Sequence, residues 1–201
     1  WYNVIRALNS SQFEMIYFNA DGRESSMCGN GGRCIAAFAQ QRGVISGHCR
    51  FMAIDGAHQA IIATKNTVES WVELKMSDVQ KVEKQADAYI LNTGSPHYVR
   101  FEDSVEKLDI VNEGRAIRNA EPWKNEGINV NFVSRQNDHE KQAPKPLQIR
   151  TYERGVEDET YACGTGLTAA AIASFLKEGR SSGDAEINLE AKGGNLTVRF
   201  Y

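Results

Sequence analysis

Two similar stretches are the most informative about the fold: CGNGGRCIAAFAQQRG at residues 28–43 and CGTGLTAAAIASFLKEG at residues 163–179. Each opens with Cys-Gly-x-Gly, continues as an Ala-rich apolar run at helical spacing, and ends near a basic residue and a glycine. This pattern predicts two buried helices that start at the Cys-Gly pair and stop at the glycine. Before each cysteine, a β-rich stretch is followed by a turn, at residues 13–22 and 147–155. The matched order of turn and cysteine predicts a duplicated α/β unit.

The repeat also measures the chain. The second copy begins near residues 88–91, more than seventy residues ahead of Cys163, whereas only 27 residues precede Cys28. If the two halves are equivalent, on the order of fifty residues are missing from the front. We therefore expect a truncated or partly observed chain with halves at residues 1–87 and 88–201.

Outside the two helices the apolar pattern has mostly period two, which predicts strands. The expected strands lie at residues 13–19, 49–54, 58–64, 68–76, 90–91, 98–101, 128–134, 147–152, 185–189 and 196–200. A further helix is expected at residues 104–117, weakened by Gly114, and a polar surface loop at residues 136–145. Many strands with one main helix per half predict an α+β fold instead of regular βαβ winding.

The composition excludes several classes of protein. Of the 201 residues, 41% are hydrophobic and 24% are charged, which is ordinary for a soluble globular protein. A net charge of −3 without a basic stripe argues against a nucleic-acid partner. The longest apolar runs, such as residues 169–173, are far shorter than the roughly 20 residues of a membrane span. The first residues contain no visible signal peptide, so we expect a cytoplasmic protein.

The four cysteines are too few for a disulfide scaffold, so free thiols are expected. Five residues separate Cys28 from Cys34 and the histidines are scattered, which fits no zinc spacing, so no metal is expected. Cys34 and Cys49 lie in no Cys-Gly-x-Gly motif and have no counterpart in the repeat. They are interpreted as small buried hydrophobes. Cys28 and Cys163 share one frame at a helix start, which favours a functional role.

A cysteine at a helix N-terminus lies at the positive end of the helix dipole, which stabilises its thiolate. The N–H groups of Gly29 and Asn30, and of Gly164 and Thr165, are expected to be available to a carboxylate. Two such helices related by an approximate two-fold axis can aim two thiols at opposite faces of one small anion. One thiolate then removes a proton and the opposite thiol returns one, which inverts the carbon while the helix N-termini stabilise the carbanion.

Other polar residues remain ambiguous when taken alone. His97 fits a structural or surface role, Asn19 fits a turn, and Glu153 with Arg154 fits a surface turn that contains an ion pair. Asn129 is more suggestive because it interrupts an apolar, strand-like run.

Six segments of the chain resemble the diaminopimelate epimerase family, cofactor-independent enzymes that interconvert LL- and meso-diaminopimelate. They are FNADG (18–22), MCGNGGRC (27–34), GSPH (94–97), GINVNF (127–132), YERG (152–155) and ACGTG (162–166). A lone CGTG would be a weak signal, but six segments in the expected order over nearly the whole chain are specific. The resemblance implies a PLP-independent isomerase of lysine or cell-wall precursor synthesis, and a possible homodimer.

The resemblance also implies two pseudo-symmetric halves, each a curved, barrel-like sheet around a central helix, with the substrate in the cleft between them. In this scheme Cys28 and Cys163 form the acid/base pair. The site residues that it implies are Gly29, Asn30, Gly164 and Thr165 for the α-carboxylate, Asn19, Asn129 and Arg154 for the distal amino-acid end, Glu153 for the ammonium groups, and His97 to orient or tune the thiols. His97 and Glu153 are thereby counted as catalytic residues together with the two cysteines. A guanidinium suits a bidentate carboxylate contact.

The chain departs from the family pattern in two places. Ser95 stands where members often carry Asn, and we keep it as a site residue because a hydroxyl still donates and accepts. A glycine-rich N-terminal segment that ends Asn-Asp-Phe and adds an asparagine to the pocket is absent, in line with the missing length.

Three alternatives stay open. Proline or hydroxyproline racemase shares the fold and the thiol pair, but it typically has His where this chain has Asn30, and it lacks the YERG segment. In a thiol redox sensor, Cys28 and Cys163 would form a regulatory disulfide. A non-catalytic amino-acid-binding module is the third.

Overall fold

The computed structural model describes residues 2–6, 13–18, 22–24, 27–66, 69–135 and 145–201. The chain divides into two compact units, Trp1–Asp78 and Val79–Tyr201. The second unit thus includes residues 79–87, and the expected division after residue 87 stays a prediction. Asn19 and residues 136–144 lie outside the described residues.

In its described residues, the first unit is a five-stranded sheet with one helix packed against it. In sheet order the strands are β1 (Tyr2–Arg6), β2 (Phe13–Phe18), β3 (His48–Ala53), β4 (Gly56–Thr64) and β5 (Ser70–Lys75). Helix α1 (Gly29–Gln41) connects β2 to β3, the parallel pair of this sheet. The core under α1 is built around the stacked rings of Phe13 and Phe51, whose centroids are 5.1 Å apart. Every second side chain along most of β4 is buried, as expected for a sheet that is covered on one face.

The second unit is an eight-stranded sheet with a helix on each face. Its elements are β6 (Val82–Gln85), β7 (Ala88–Asn92), β8 (Pro96–Phe101), α2 (Ile110–Arg118), β9 (Asn129–Arg135), β10 (Leu147–Glu153), β11 (Asp158–Thr160), α3 (Gly164–Lys177), β12 (Ala185–Ala191) and β13 (Gly194–Phe200). The sheet order is β13-β12-β10-β9-β8-β7-β6, and β11 pairs with β10. Odd-numbered side chains of β9 and β10, such as Val133 and Ile149, face α3, whereas Phe132 and Tyr152 face α2. This explains why β9 is buried on both faces.

The topology confirms the predicted duplication. In the first unit an antiparallel pair, β1 and β2, leads through α1 to β3, which is parallel to β2 and forms a hairpin with β4. In the second unit β9 and β10 lead through α3 to β12, which is parallel to β10 and forms a hairpin with β13. Both helices end as predicted, at Gly43 (φ +72) and Gly179 (φ +77), where glycine takes the left-handed conformation that ends the helix.

Several sequence-based expectations require correction. The helix expected from residue 104 begins at Ile110, because the Asp109 carboxylate accepts the N–H of Asn112 at 3.2 Å and caps it there. His97 lies in strand β8 and not in the preceding loop. Strands β1, β6 and β11 were not expected; β6 (VEKQ) is a mostly exposed edge strand without an apolar alternation. Neither sheet closes into a barrel within the described part of the chain, since β1, β5, β6 and β13 remain sheet edges.

Candidate active site

Cys28 is the N-cap residue of α1, as the sequence predicts. Its backbone is extended (φ −113, ψ 113), and its sulfur accepts the N–H of Gly31 at 3.4 Å. The thiol is partly exposed. In the first turn, the Asn30 side-chain oxygen accepts a hydrogen bond from the Arg33 guanidinium. The Cys28 sulfur therefore lies at the positive end of the helix dipole.

Cys163 is the N-cap residue of α3 and has almost the same backbone conformation (φ −112, ψ 107). Its side chain makes no cap hydrogen bond to the backbone; the sulfur instead lies 3.4 Å from the hydroxyl of Thr165. This cysteine is buried, with 8% of its surface exposed. The two helix starts thus share a backbone geometry but differ in the partner of the sulfur.

A chain of buried side chains leads from this sulfur into the sheet. The Thr165 hydroxyl lies 3.1 Å from the Ser95 hydroxyl, which lies 3.0 Å from Nε2 of His97. The Thr93 hydroxyl donates to the Thr165 carbonyl oxygen at 2.8 Å and fixes the first turn of α3 against the loop. The structure therefore brings together four predicted site residues, Ser95, His97, Cys163 and Thr165.

Asn129 joins the same network. Its Nδ2 donates to the Ser95 hydroxyl at 3.2 Å and to the Pro96 carbonyl at 3.0 Å, and its Oδ1 accepts the backbone N–H of Arg154 at 2.9 Å. Both amide protons are thus engaged inside the protein. The Arg154 guanidinium donates to the Glu126 carbonyl at 3.2 Å.

Asn131 is a site residue that the sequence analysis missed. Its Nδ2 lies 3.1 Å from Nδ1 of His97 and donates to the Tyr98 carbonyl at 3.1 Å, while its Oδ1 accepts the Thr151 hydroxyl at 3.0 Å. A signal was present, because residues two apart in a strand share one face. The GINVNF segment carries asparagines at 129 and 131 in an otherwise apolar run.

Burial shifts the pKa values of three residues of this site. The pKa of His97 falls to about 3 because the ring is fully buried and the Arg154 charge is nearby, so the imidazole is neutral near pH 7. Burial raises the pKa of Glu153. Burial, and then the charge of Arg118, lower the pKa of Arg154. A ligand that brings a carboxylate to Arg154 or an ammonium to Glu153 would offset these unfavourable charge environments.

The remaining cysteines carry free thiols, as do Cys28 and Cys163. Cys49 is buried, as expected, but Cys34 is exposed on α1, so its interpretation as a buried hydrophobe was wrong. Among the described residues, His, Cys, Asp and Glu form no group of three that could hold a metal ion. In that same part of the chain, no helix combines the length and apolar character of a membrane span.

Solved structures share this fold at low sequence identity. A phenazine biosynthesis protein of the PhzF family from Bacillus anthracis superposes with a TM-score of 0.70 at 13% identity, over 98% of this chain and 75% of that one. A hydroxyproline epimerase from Agrobacterium vitis gives 0.70 at 14% identity, over 97% and 65%. The fold is therefore that of an α+β class of proteins that includes an amino-acid epimerase.

Sequence similarity narrows the class. The diaminopimelate epimerase family profile matches residues 89–201. Diaminopimelate epimerases that resemble the chain come from Flavobacterium psychrophilum (44% identity, 95% of this chain, 70% of the relative), Chlorobaculum tepidum (40%, 86%, 66%) and Aquifex aeolicus (38%, 83%, 60%). The alignments with these relatives span 60–70% of their length. The chain belongs to the diaminopimelate epimerase family, whose members are isomerases, and the family predicted from its six segments is confirmed.

Proposed function

We propose that this protein interconverts LL- and meso-2,6-diaminopimelate by PLP-independent acid/base catalysis, with Cys28 and Cys163 as the two proton carriers. The observation that carries the proposal is the duplicated helix start. Each unit places one cysteine at the N-cap of its central helix, with nearly identical backbone angles. A helix N-terminus stabilises both a thiolate and a bound carboxylate.

In the proposed reaction, one cysteine thiolate takes the proton from an α-carbon and becomes a thiol. The electron pair that remains on carbon is delocalised into the α-carboxylate, which the N–H groups of Gly29 and Asn30 and of Gly164 and Thr165 hold. The other cysteine, initially a thiol, delivers its proton to the opposite face and becomes a thiolate. Atoms and charge balance, the carbon is inverted, and the two sulfurs exchange protonation states.

The other predicted site residues recognise the substrate in this proposal. Arg154 binds the distal carboxylate and Glu153 the ammonium groups. Glu153 is the last residue of β10, and Arg154 follows it with its backbone N–H bonded to Asn129 of the buried network. Asn129 and Ser95 hold this end of the site in place, and Asn19 remains a predicted contact. His97 is neutral and fully buried, so it acts on the thiol of its unit through hydrogen bonds and not as an acid. A cytoplasmic location and a homodimer belong to the same proposal.

Deuterium incorporation tests the two-thiol reaction. Reduced protein is incubated with LL-diaminopimelate in D2O. Early in the reaction, the LL and meso isomers are separated and the deuterium content of each is determined by mass spectrometry. Because the acid thiol has exchanged with solvent, we expect meso product with one α-deuterium while the remaining LL substrate keeps its protium. Meso product without deuterium would indicate that a single base returns the same proton, and would contradict the proposal.

Matched substitutions identify the carriers. Cys28→Ala and Cys163→Ala should each abolish inversion. Cys34→Ala, on the same helix as Cys28, and Cys49→Ala, at a buried site, should retain it. A reduced protein that neither inverts nor deuterates the substrate would refute the proposed function and favour the redox or binding alternatives.

A further inference from the structure

Backbone groups fix the orientation of the Asn131 amide. Strand pairing sets Asn131 opposite Thr151 on β10 and Val99 on β8. The Tyr98 carbonyl, 3.1 Å from Nδ2, only accepts, so the amide nitrogen must face it. The Thr151 hydroxyl donates to Oδ1 at 3.0 Å. The second proton of Nδ2 then points at Nδ1 of His97, 3.1 Å away.

This orientation fixes the tautomer of His97. A ring nitrogen that accepts a hydrogen bond carries no proton, and a neutral imidazole carries one proton on its other nitrogen. Nε2 therefore bears the proton and donates it to the Ser95 hydroxyl at 3.0 Å. The complete burial of the ring is consistent with the neutral form.

Two donors converge on the Ser95 hydroxyl oxygen. Nε2–H of His97 occupies one lone pair, and Nδ2–H of Asn129 occupies the other at 3.2 Å. Backbone groups also fix the orientation of Asn129, because Nδ2 faces the Pro96 carbonyl and Oδ1 faces a backbone N–H. With both lone pairs engaged, the proton of Ser95 must point outward, to the Thr165 hydroxyl at 3.1 Å.

The orientation of the Ser95 hydroxyl in turn determines where the Thr165 hydroxyl proton points. The Thr165 oxygen accepts from Ser95, so its own proton is directed at Sγ of Cys163, 3.4 Å away. We propose that Asn131 is a positioning residue for Cys163. It fixes the tautomer of His97, and through Ser95 this makes the Thr165 hydroxyl a donor to the sulfur, which favours the thiolate over the thiol. No proton is transferred along the chain. The role of the thiolate rests on the proposed function, but the direction of the hydrogen bonds does not.

The first test measures the thiolate fraction of Cys163. Alkylation of reduced protein by iodoacetamide is followed across pH by mass spectrometry of the peptide that contains Cys163. Thr165→Val keeps the shape of the side chain but removes the hydrogen-bond donor. At pH values below the pKa of the Cys163 thiol, this substitution should lower the alkylation rate roughly tenfold, equivalent to about 1.4 kcal/mol. Thr165→Ser keeps the hydroxyl and should restore the rate. Ser134→Ala removes a buried hydroxyl of β9 that does not belong to the hydrogen-bonded series from Asn131 to Cys163. In this control variant, Cys163 should be alkylated as fast as in the wild type.

The second test observes the tautomer. The 15N spectrum of His97, assigned by comparison with His97→Gln, should show a protonated Nε2 and an unprotonated Nδ1 between about pH 6 and about pH 8. Asn131→Asp replaces the amide donor by an acceptor and should move the proton to Nδ1 while slowing alkylation of Cys163. Circular dichroism checks that each variant folds.

Two results would overturn the inference: a protonated Nδ1 in the wild type, or Thr165→Val alkylated as fast as the wild type. Neither measurement depends on epimerisation. If both behave as expected and the deuterium experiment fails, only the proposed function is lost. If inversion occurs but the alkylation rate of Cys163 is the same in Thr165→Val as in the wild type, only this inference is lost.

Discussion

The close approach of α3 to β9 predicts the effect of Gly166→Ala. A Cβ atom at Gly166 would lie 2.4 Å from Oδ1 of Asn131, about 1 Å inside ordinary van der Waals contact. Either Asn131 or the first turn of α3 must move by that amount. Since Oδ1 accepts the Thr151 hydroxyl at 3.0 Å, a shift of this size breaks that hydrogen bond.

Opposing contributions determine whether Gly166→Ala raises or lowers the free energy of unfolding. Alanine favours a helix over glycine by about 1 kcal/mol, whereas overpacking costs about 1–3 kcal/mol and a lost buried hydrogen bond about 1 kcal/mol. The free energy of unfolding should therefore fall by about 1–3 kcal/mol. Urea denaturation should show a lower midpoint with an unchanged slope. Hydrogen exchange should locate the loosening in β9 and the first turn of α3.

Gly32→Ala in α1 is the matched control. Its Cβ would lie 2.7 Å from Cε of Met27 and 2.9 Å from Cδ2 of Leu74. Both atoms are at the ends of flexible side chains, which rotate away at little cost. Gly32→Ala should therefore lose less stability than Gly166→Ala. A Gly166→Ala variant as stable as the wild type, or an equal loss of stability in the two variants, would contradict this steric explanation.

Three other perturbations probe buried groups. Both ring nitrogens of His58 face hydrogen-bond acceptors, a backbone carbonyl at 2.9 Å and the Asp55 carboxylate at 2.8 Å. Burial lowers the pKa of His58, but the hydrogen bonds and the Asp55 charge outweigh burial, so that the pKa lies above its ordinary value of 6.5. The stability from this pair is complete below about pH 6.5 and is lost as pH rises through the folded pKa, so urea midpoints should fall with pH in the wild type and less in His58→Gln. Gly114→Ala should lower the unfolding free energy by about 1–2 kcal/mol in urea, because its Cβ would lie 2.4 Å from Cβ of Tyr152; an unchanged midpoint would contradict this. Because burial raises the pKa of Glu153, Glu153→Gln should raise the melting temperature at neutral pH. The proposed binding of the substrate ammonium groups by Glu153 predicts that kcat/KM of this variant falls at least about tenfold; a fully active variant would contradict that proposed role.

The helices that carry the cysteines could be predicted from the sequence because their signals are local. The Cys-Gly start, the apolar spacing and the terminal glycine all lie within each helix, and Gly43 and Gly179 end the helices as predicted. Gly114 shows the limit of local reasoning. In the sequence it weakens a helix, but in the fold it allows α2 to pack on Tyr152. That partner lies 38 residues away in the sequence, and no local pattern indicates it.

The site was predictable in composition but not in connectivity. The family segments contain Ser95, His97, Asn129 and Thr165, and the structure joins these side chains by hydrogen bonds. What the sequence could not provide is the role of Asn131, because that role depends on the register that sets it opposite Thr151 and beside β8. A shift of one residue would turn its amide to the other face.

The residue two positions after each cysteine breaks the symmetry of the duplicated helix starts. Asn30 bonds with Arg33 within its own helix, and the Cys28 sulfur accepts a backbone N–H. Thr165 instead contacts the Cys163 sulfur and, through Ser95, a chain of side chains from β8 and β9. A two-thiol reaction needs one thiolate and one thiol at the outset, whereas exact duplication would give two equivalent groups. The Cys28 sulfur accepts the N–H of Gly31 and the Cys163 sulfur contacts the Thr165 hydroxyl, while both cysteines keep the backbone of a helix N-cap.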